Sequence, residues 1–318
     1  MATTTGTASN YFDLLTQLRD FLVANGWTQI GGTSAGPITS DAQFVSLQGE
    51  GLTGDDEILV TLQPYSVSAN NAYSIRARGH TAYVSPGVSQ PGADSPWAYM
   101  LTLNSPITYW FVASGRRFIV IAKNSSRYDA MYGGFILPEH LPSDWSYPLF
   151  IGASCWTGDL AQSSDLPHHA NFWNALAGDG SSDADNDNPS GAYLFSPIQA
   201  WVPVRNGYSY QGAPTYVQTG RMTIPWARTS QQNVRRQLDD APWLRQGQLV
   251  AAAKNSSGTP DVNVPEGGVF YGSFDGVYYT PAFGATAEQE VVISGKTYMM
   301  VPNVGRTSDG HFAAIVLE

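Results

Sequence analysis

Two apolar runs, Ile107–Ala113 and Phe118–Ala122, stand on either side of Ser114-Gly115-Arg116-Arg117. Runs this short, broken by a turn, read as the two strands of a β-hairpin. Neither alternates between apolar and polar residues, so both faces of each strand are expected to be covered. A polar, doubly basic tip cannot share that burial. The arginines are therefore expected to aim outwards, at solvent, an acidic neighbour or another subunit. This one segment excludes a helical bundle and demands a layered β core.

The flanking sequence agrees. Ala42–Gly49, Glu57–Tyr65, Asn71–Gly79 and Ala98–Leu103 are further strand candidates, separated by Gly, Pro, Asn and Asp. Tyr73, Ile75 and Ala77 alternate with Ser74, Arg76 and Arg78, as on a half-exposed strand. The chain of 318 residues carries 32 Gly and 20 Pro, so turns are many and long helices few. The clearest helix follows Asn10, which can cap it. Tyr11, Leu14, Leu15, Leu18, Phe21 and Leu22 form its apolar stripe, and Asn25-Gly26 supplies a left-handed stop. Residues 1–9 read as a small polar arm. The expected fold is mainly β within the α+β class, with antiparallel sheets or a sandwich and an N-terminal helix. The expected organisation is an arm and helix over 1–30 and a β core over 31–155. A loop-rich insertion follows over 156–248, and C-terminal hairpins over 249–318 complete the core. Short helices are expected near 163–180 and 229–243 within the insertion. In the last part, 267–274 and 276–283 read as separate strands.

Net charge is −10, which disfavours phosphate backbones and hence nucleic acid. The chain holds no apolar run of membrane-spanning length, so membrane insertion is not expected. The N-terminal residues lack the basic and apolar parts of a secretory signal, and the single cysteine, Cys155, reads as a buried structural thiol. Synthesis in a reducing cytoplasm follows as an expectation.

Several motifs resemble catalytic or metal sites and fail on context. Gly32-Thr33-Ser34-Ala35-Gly36 has the nucleophile-elbow pattern, but Pro37 obstructs the helix such an elbow needs. Gly295-Lys296-Thr297 imitates the end of a phosphate-binding loop, but Glu290 stands where its first glycine belongs, and the segment reads as a hairpin tip. Asp183, Asp185 and Asp187 have the alternate spacing of a calcium loop, with Asn188 and Leu194 in place of the glycine and the bidentate glutamate. They are a weak metal candidate, and no cofactor is expected. His168 and His169 are adjacent and diverge, while His80, His140 and His311 lack companion ligands. All five read as structural or surface residues. Asp55-Asp56-Glu57 and Asp239-Asp240 keep a glycan hydrolase in view. Asn124-Ser125-Ser126 and Asn255-Ser256-Ser257 read as turns rather than glycosylation sites.

No catalytic constellation emerges, so an enzyme is not expected; a surface does emerge. Only 13% of residues are charged and 12% are aromatic, a bias that fits a permanent interface or simply a large β core. The interface candidates are Gly115, Arg116 and Arg117 at the hairpin tip, and Trp145 and Tyr147 in the aromatic segment WSYPLFIG. Three segments carry a resemblance: DLLTQLRDFLVANGWT, then SPITYWFVASGRRFIVIAKNSSRYDAMYGGFILPEHLPSDWSYPLFIGAS, then FDGVYYTPAFGATAEQEVVISGKTYMMVPNVGRTSDGHFAAIVLE. Together they resemble a group of tailed-bacteriophage virion structural proteins. The middle one is the most specific, through YWFVASGRRFIV, GFILP and YPLFIGAS. The resemblance implies a structural subunit of the tail or baseplate, located in the virion and assembled in the host bacterial cytoplasm. Its implied partners are copies of itself and other tail proteins. A neck or capsid-associated position, a tail-associated glycan hydrolase and a receptor- or carbohydrate-binding module are the alternatives. On this reading, replacing Arg116 and Arg117 together by glutamate leaves the monomer folded and impairs assembly.

Overall fold

The computed structural model describes residues 1–33, 36–52, 54, 57–82, 93–139, 145–155, 171–173, 191–197, 199–204, 244–251, 269–280, 285–302 and 312–317. In chain order, β1 (Ala2–Ala8) and α1 (Tyr11–Ala24) precede β2 (Thr28–Gly32), β3 (Val45–Gly49), β4 (Ile58–Val67), β5 (Ala72–His80) and β6 (Ala98–Thr102). The middle of the chain supplies β7 (Ile107–Ser114), β8 (Arg117–Asn124), β9 (Arg127–Phe135), β10 (Leu137–Pro138) and β11 (Leu149–Gly152). Then come β12 (Ala192–Phe195), β13 (Trp201–Pro203), β14 (Arg245–Ala251), β15 (Val269–Thr280), β16 (Glu290–Ile293), β17 (Lys296–Pro302) and β18 (Phe312–Val316).

Among the described residues these strands make three antiparallel sheets packed with one α-helix, a mainly β fold of the α+β kind. The central sheet has seven strands in the order β1-β7-β8-β9-β11-β12-β13. A five-stranded sheet runs β2-β3-β4-β5-β6, and β10 and β14–β18 form a six-stranded sheet. The predicted hairpin is β7–β8, and its unbroken apolarity has the expected cause. Phe111, Ala113, Phe118, Val120 and Ala122 pack with α1 and the inner face of the five-stranded sheet. Val112, Ile119 and Ile121 turn the other way, to a second core with Phe274, Val277, Met299 and Ile315 of the six-stranded sheet. The central sheet is thus a filling between two layers. Each fully buried aliphatic or aromatic side chain there contributes about 1.5–3 kcal/mol.

Helix α1 forms for the reasons its sequence declares. Asn10 Oδ1 accepts from Asp13 N at 3.0 Å, and Asp13 Oδ2 accepts from Ser9 N at 2.7 Å. Leu14, Leu15, Leu18 and Leu22 are fully buried. Gly26, at φ +93°, ends the helix and lets Trp27 fold back into the core.

Two expectations change. The N-terminal arm is instead strand β1, paired along its whole length with β7 from Ala2↔Ala113 to Ala8↔Ile107. Its four threonines favour the extended backbone, and β7 offers an open edge; no alternation advertises it because Thr3, Thr4 and Thr5 are all exposed. The segments 267–274 and 276–283, read as separate strands, contribute to one strand, β15. Gly272 and Gly276 have φ of +145° and +79°, so the glycines bend this strand without ending it. The helices expected near 163–180 and 229–243 lie outside the described residues, apart from 171–173.

Candidate functional site

The β7–β8 tip is built into the molecule. Its two-residue connection, Gly115-Arg116, has no positive φ, so it lacks the mirror-image geometry that free hairpins favour. Three successive carbonyls of the tip are held from outside the hairpin. Ser114 O accepts from Trp27 Nε1 at 2.8 Å, Gly115 O from Gly51 N at 3.2 Å, and Arg116 O from Phe135 N at 2.8 Å.

The two arginines separate. Arg116 keeps 41% of its side chain exposed and pairs with Asp275 Oδ2 at 3.1 Å. Arg117 opens β8 on the face toward the six-stranded sheet and is 1% exposed. Its outward aim is therefore corrected: the pleat that sends Ile119 and Ile121 into the second core sends Arg117 there too. Its slot exists because two neighbours are glycine. A Cβ at Gly134 would lie 2.4 Å from Arg116 O, and one at Gly276 would lie 2.4 Å from Arg117 Nη2.

Arg117 is poorly compensated in that slot. Its Nε lies 3.5 Å from the carboxylate oxygen that Arg116 already holds, and its Nη2 reaches Met1 Sδ at 3.1 Å. Nε and Nη1 make no hydrogen bond among the described residues. Two guanidiniums thus share one carboxylate.

The aromatic candidates also face inwards. Trp145 is buried, donates from Nε1 to Phe195 O at 3.0 Å and packs on Tyr271. Tyr147 pins two segments through one hydroxyl: Leu59 N donates to it, and it lies 2.8 Å from His80 O and 3.0 Å from Glu57 O. Burial pushes that phenol well above its ordinary pKa. Gly115 meets Glu50 across the tip: a Cβ there would lie 2.6 Å from Glu50 Oε2.

A second polar site lies on the outer face of the five-stranded sheet, where strand alternation places Arg76, Arg78 and His80 together. Arg76 stacks on the rings of Tyr65 at 4.7 Å and Trp97 at 4.3 Å, and Arg78 also stacks on Trp97 at 4.3 Å. Gln63 Oε1 accepts from Arg76 Nη2 at 2.7 Å, and Tyr99 OH accepts from Nη1 at 3.3 Å. Arg78 reaches Asp94 at 3.5 Å, and its buried Nε has no hydrogen-bond partner among the described residues. Burial draws the Arg78 pKa down, against the pull of Asp94.

Beyond Arg78 runs a chain of hydrogen bonds. Asp94 Oδ1 lies 2.7 Å from His80 Nδ1, His80 Nε2 lies 2.8 Å from Thr61 Oγ1, and Thr61 Oγ1 lies 2.9 Å from Ser46 Oγ. Burial lowers the His80 pKa despite Asp94, which favours the neutral ring. With Asp94 ionised, Nδ1 donates to the carboxylate and Nε2 accepts from Thr61, so Ser46 donates to Thr61. This is the order of a nucleophilic triad. Here the Thr61 hydroxyl is engaged on both sides, accepting from Ser46 and donating to His80, and it serves as a structural link.

The alternation over 73–78 signals the Arg76–Arg78 face. Trp97, Asp94 and Gln63 give no such signal, because they arrive from distant strands and loops. Among the remaining motifs, Gly295 forms the hairpin tip expected of it, with Ser294 and Gly295 at φ +52° and +78° between β16 and β17. Asn124 is buried, with its amide on Leu101 O and Asp129. Asp183, Asp185 and Asp187 lie outside the described residues, as do Ser34, Asp55, Asp56, His140, His168, His169, Asp239, Asp240, Asn255 and His311. Among the described residues, no group of three His, Cys, Asp or Glu side chains is placed to hold a metal. No helix among them is long and apolar enough to cross a membrane. No protein-family model matches the chain, and no curated protein matches it.

Proposed function

We propose that this chain is a structural, non-catalytic subunit of a tailed-bacteriophage virion, placed in the tail or baseplate and working through protein–protein contacts. The observation that carries this reading is the edge of β1. The strand ATTTGTA has no charge and no proline, and its register on β7 shows no bulge. It is the rim of the central sheet, and among the described residues no strand pairs with its outer side. Monomeric proteins protect such rims with lysine, proline, bulges or a covering element. A rim this long and flat suits a strand supplied by a neighbouring subunit, whose main chain would continue the sheet. The resemblance of the three long segments to virion proteins points the same way.

The test is Thr3→Lys with Thr4→Lys, which places a charge on each face of the rim. Thermal melting of the isolated variant is expected to match the parent, because both side chains are exposed. Virions assembled with it are expected to lack the subunit or fail to form. Normal incorporation of the variant would remove the β1 edge, and with it the support for this reading.

A further inference from the structure

We infer that Arg76 and Arg78 form a seat for an oxyanion carried by an external ligand. The ladder Tyr65, Arg76, Trp97 and Arg78 is ordered before any ligand arrives. Arg76 is held by two rings, by Gln63 and by Tyr99, all of them neutral. Each terminal nitrogen of Arg76 has one further N–H beyond these bonds. Arg76 makes no ion pair among the described residues, and Arg78 meets its one carboxylate, Asp94, at the long distance of 3.5 Å. Asp94 is itself engaged by His80. Among the described residues the face therefore carries an excess positive charge, in a chain of net charge −10.

Both guanidiniums contact Trp97, so the ring is engaged with them instead of offering an open platform for an uncharged sugar. What the ladder presents is the planar fork that matches a carboxylate, phosphate or sulfate. Because the side chains are already fixed, binding costs little ordering entropy. The ligand class is an oxyanion, either as a free ion or as a group on an acidic polysaccharide.

The experiment follows the arginine Nε–H resonances of the isolated full chain by NMR, assigned with Arg76→Lys and Arg78→Lys. The titrants are inorganic sulfate, trigalacturonate and neutral maltotriose. Sulfate and trigalacturonate are expected to shift the Arg76 and Arg78 signals saturably, and maltotriose is expected to leave them in place. Tighter binding of trigalacturonate than of sulfate identifies a polysaccharide; equal binding identifies the free ion. Arg76→Gln is expected to weaken sulfate binding at least tenfold, and Arg116→Gln to leave it unchanged. The seat is refuted if neither anion shifts the two signals saturably, if maltotriose shifts them equally, or if folded Arg76→Gln binds as the parent does. No arm depends on assembly, so the seat and the virion role fail separately.

Discussion

Arg116 and Arg117 set two guanidiniums against one carboxylate, Asp275, whereas of Arg76 and Arg78 only Arg78 meets a carboxylate among the described residues, Asp94 at 3.5 Å. The two pairs handle the excess charge in opposite ways. On the five-stranded sheet both arginines point to one face, stay half-buried and share Trp97. At the hairpin tip the pair is divided, with Arg116 partly exposed and Arg117 in a buried slot beside two glycines. The difference follows from spacing. Residues two apart on a strand share a face, whereas the step from the turn residue Arg116 to the strand residue Arg117 crosses from solvent into a layer interface. A stacked guanidinium keeps part of its hydration and gains ring contacts. A slotted one depends wholly on its few polar neighbours, so the two sites should respond differently to the same substitution.

The largest effect is expected at Arg117. Arg117→Glu places a second carboxylate against Asp275 inside the protein and removes the buried countercharge. Breaking a buried pair in this way costs about 3–5 kcal/mol, which would be read as a lowered urea midpoint. Double replacement of Arg116 and Arg117 by glutamate is therefore expected to destabilise the monomer as well, so impaired assembly alone would not mark an interface at the tip. Arg117→Met keeps the volume without the charge and should cost much less. An equal loss for both variants would show that shape, not charge, governs the slot.

Next comes the wall of the slot. Gly134 has φ +138°, and an alanine methyl there would meet Arg116 O and Arg117 Cα at 2.4 and 2.5 Å. Gly134→Ala combines backbone strain with overlap and should cost about 2 kcal/mol. The aromatic ladder has no comparable glycine wall. An unchanged denaturation midpoint for Gly134→Ala would dissolve the contrast between slot and ladder.

The same contrast explains what was legible in the sequence. The β7–β8 hairpin, its covered faces and the cap and stripe of α1 are local patterns, written in consecutive residues. Arg76 and Arg78 could be placed on an exposed face because alternation is also local. Arg117 was misread because the inference stopped at the turn: Arg-Arg looks equally polar at both positions, and only the register of β8 against Gly134 shows which one enters the interior. The counterpart Asp275 lies far along the chain, on a strand that the sequence seemed to split at that point. Trp145 and Tyr147 were offered as interface residues for a related reason. Aromatic rings serve interfaces between layers of one chain as well as interfaces between chains, and local composition does not distinguish them.

Acid should separate the two sites without any substitution. His80 has its pKa lowered from the ordinary 6.5, chiefly by burial, while Asp94 opposes the shift. The unfolded chain then takes up a proton more readily than the folded one. Stability from this group is complete above pH 6.5 and is lost as pH falls from there through the folded-state pKa. The carboxylates of Asp13 and Glu288, held below their ordinary values of 3.8 and 4.5, act only at lower pH. Melting temperature is thus expected to drop between pH 7 and 5, and His80→Gln should flatten that part of the profile. Arg117→Met should leave the slope in place, since no histidine is paired at the slot among the described residues. A slope that survives His80→Gln would assign the titration elsewhere.

The smallest effects are expected at Arg76 and Arg116. Arg76→Gln loses two ring contacts, each worth about 0.5–1 kcal/mol at a partly exposed site. Glutamine keeps some hydrogen-bonding capacity toward Gln63, so the net loss should be about 1 kcal/mol. Arg116→Gln gives up an ion pair whose arginine side chain is 41% exposed. Water and salt screen that pair, and its contribution should be about 0.5 kcal/mol or less. It also releases Asp275 to Arg117, whose Nε already lies 3.5 Å from the same oxygen. A shorter contact there would offset part of the loss, and Arg116→Gln is as a result expected to match the parent even in a urea melt at low salt, where exposed pairs count most. If Arg116→Gln instead costs more than Arg76→Gln, the tip pair acts as one buried unit and the proposed division between slot and solvent is wrong.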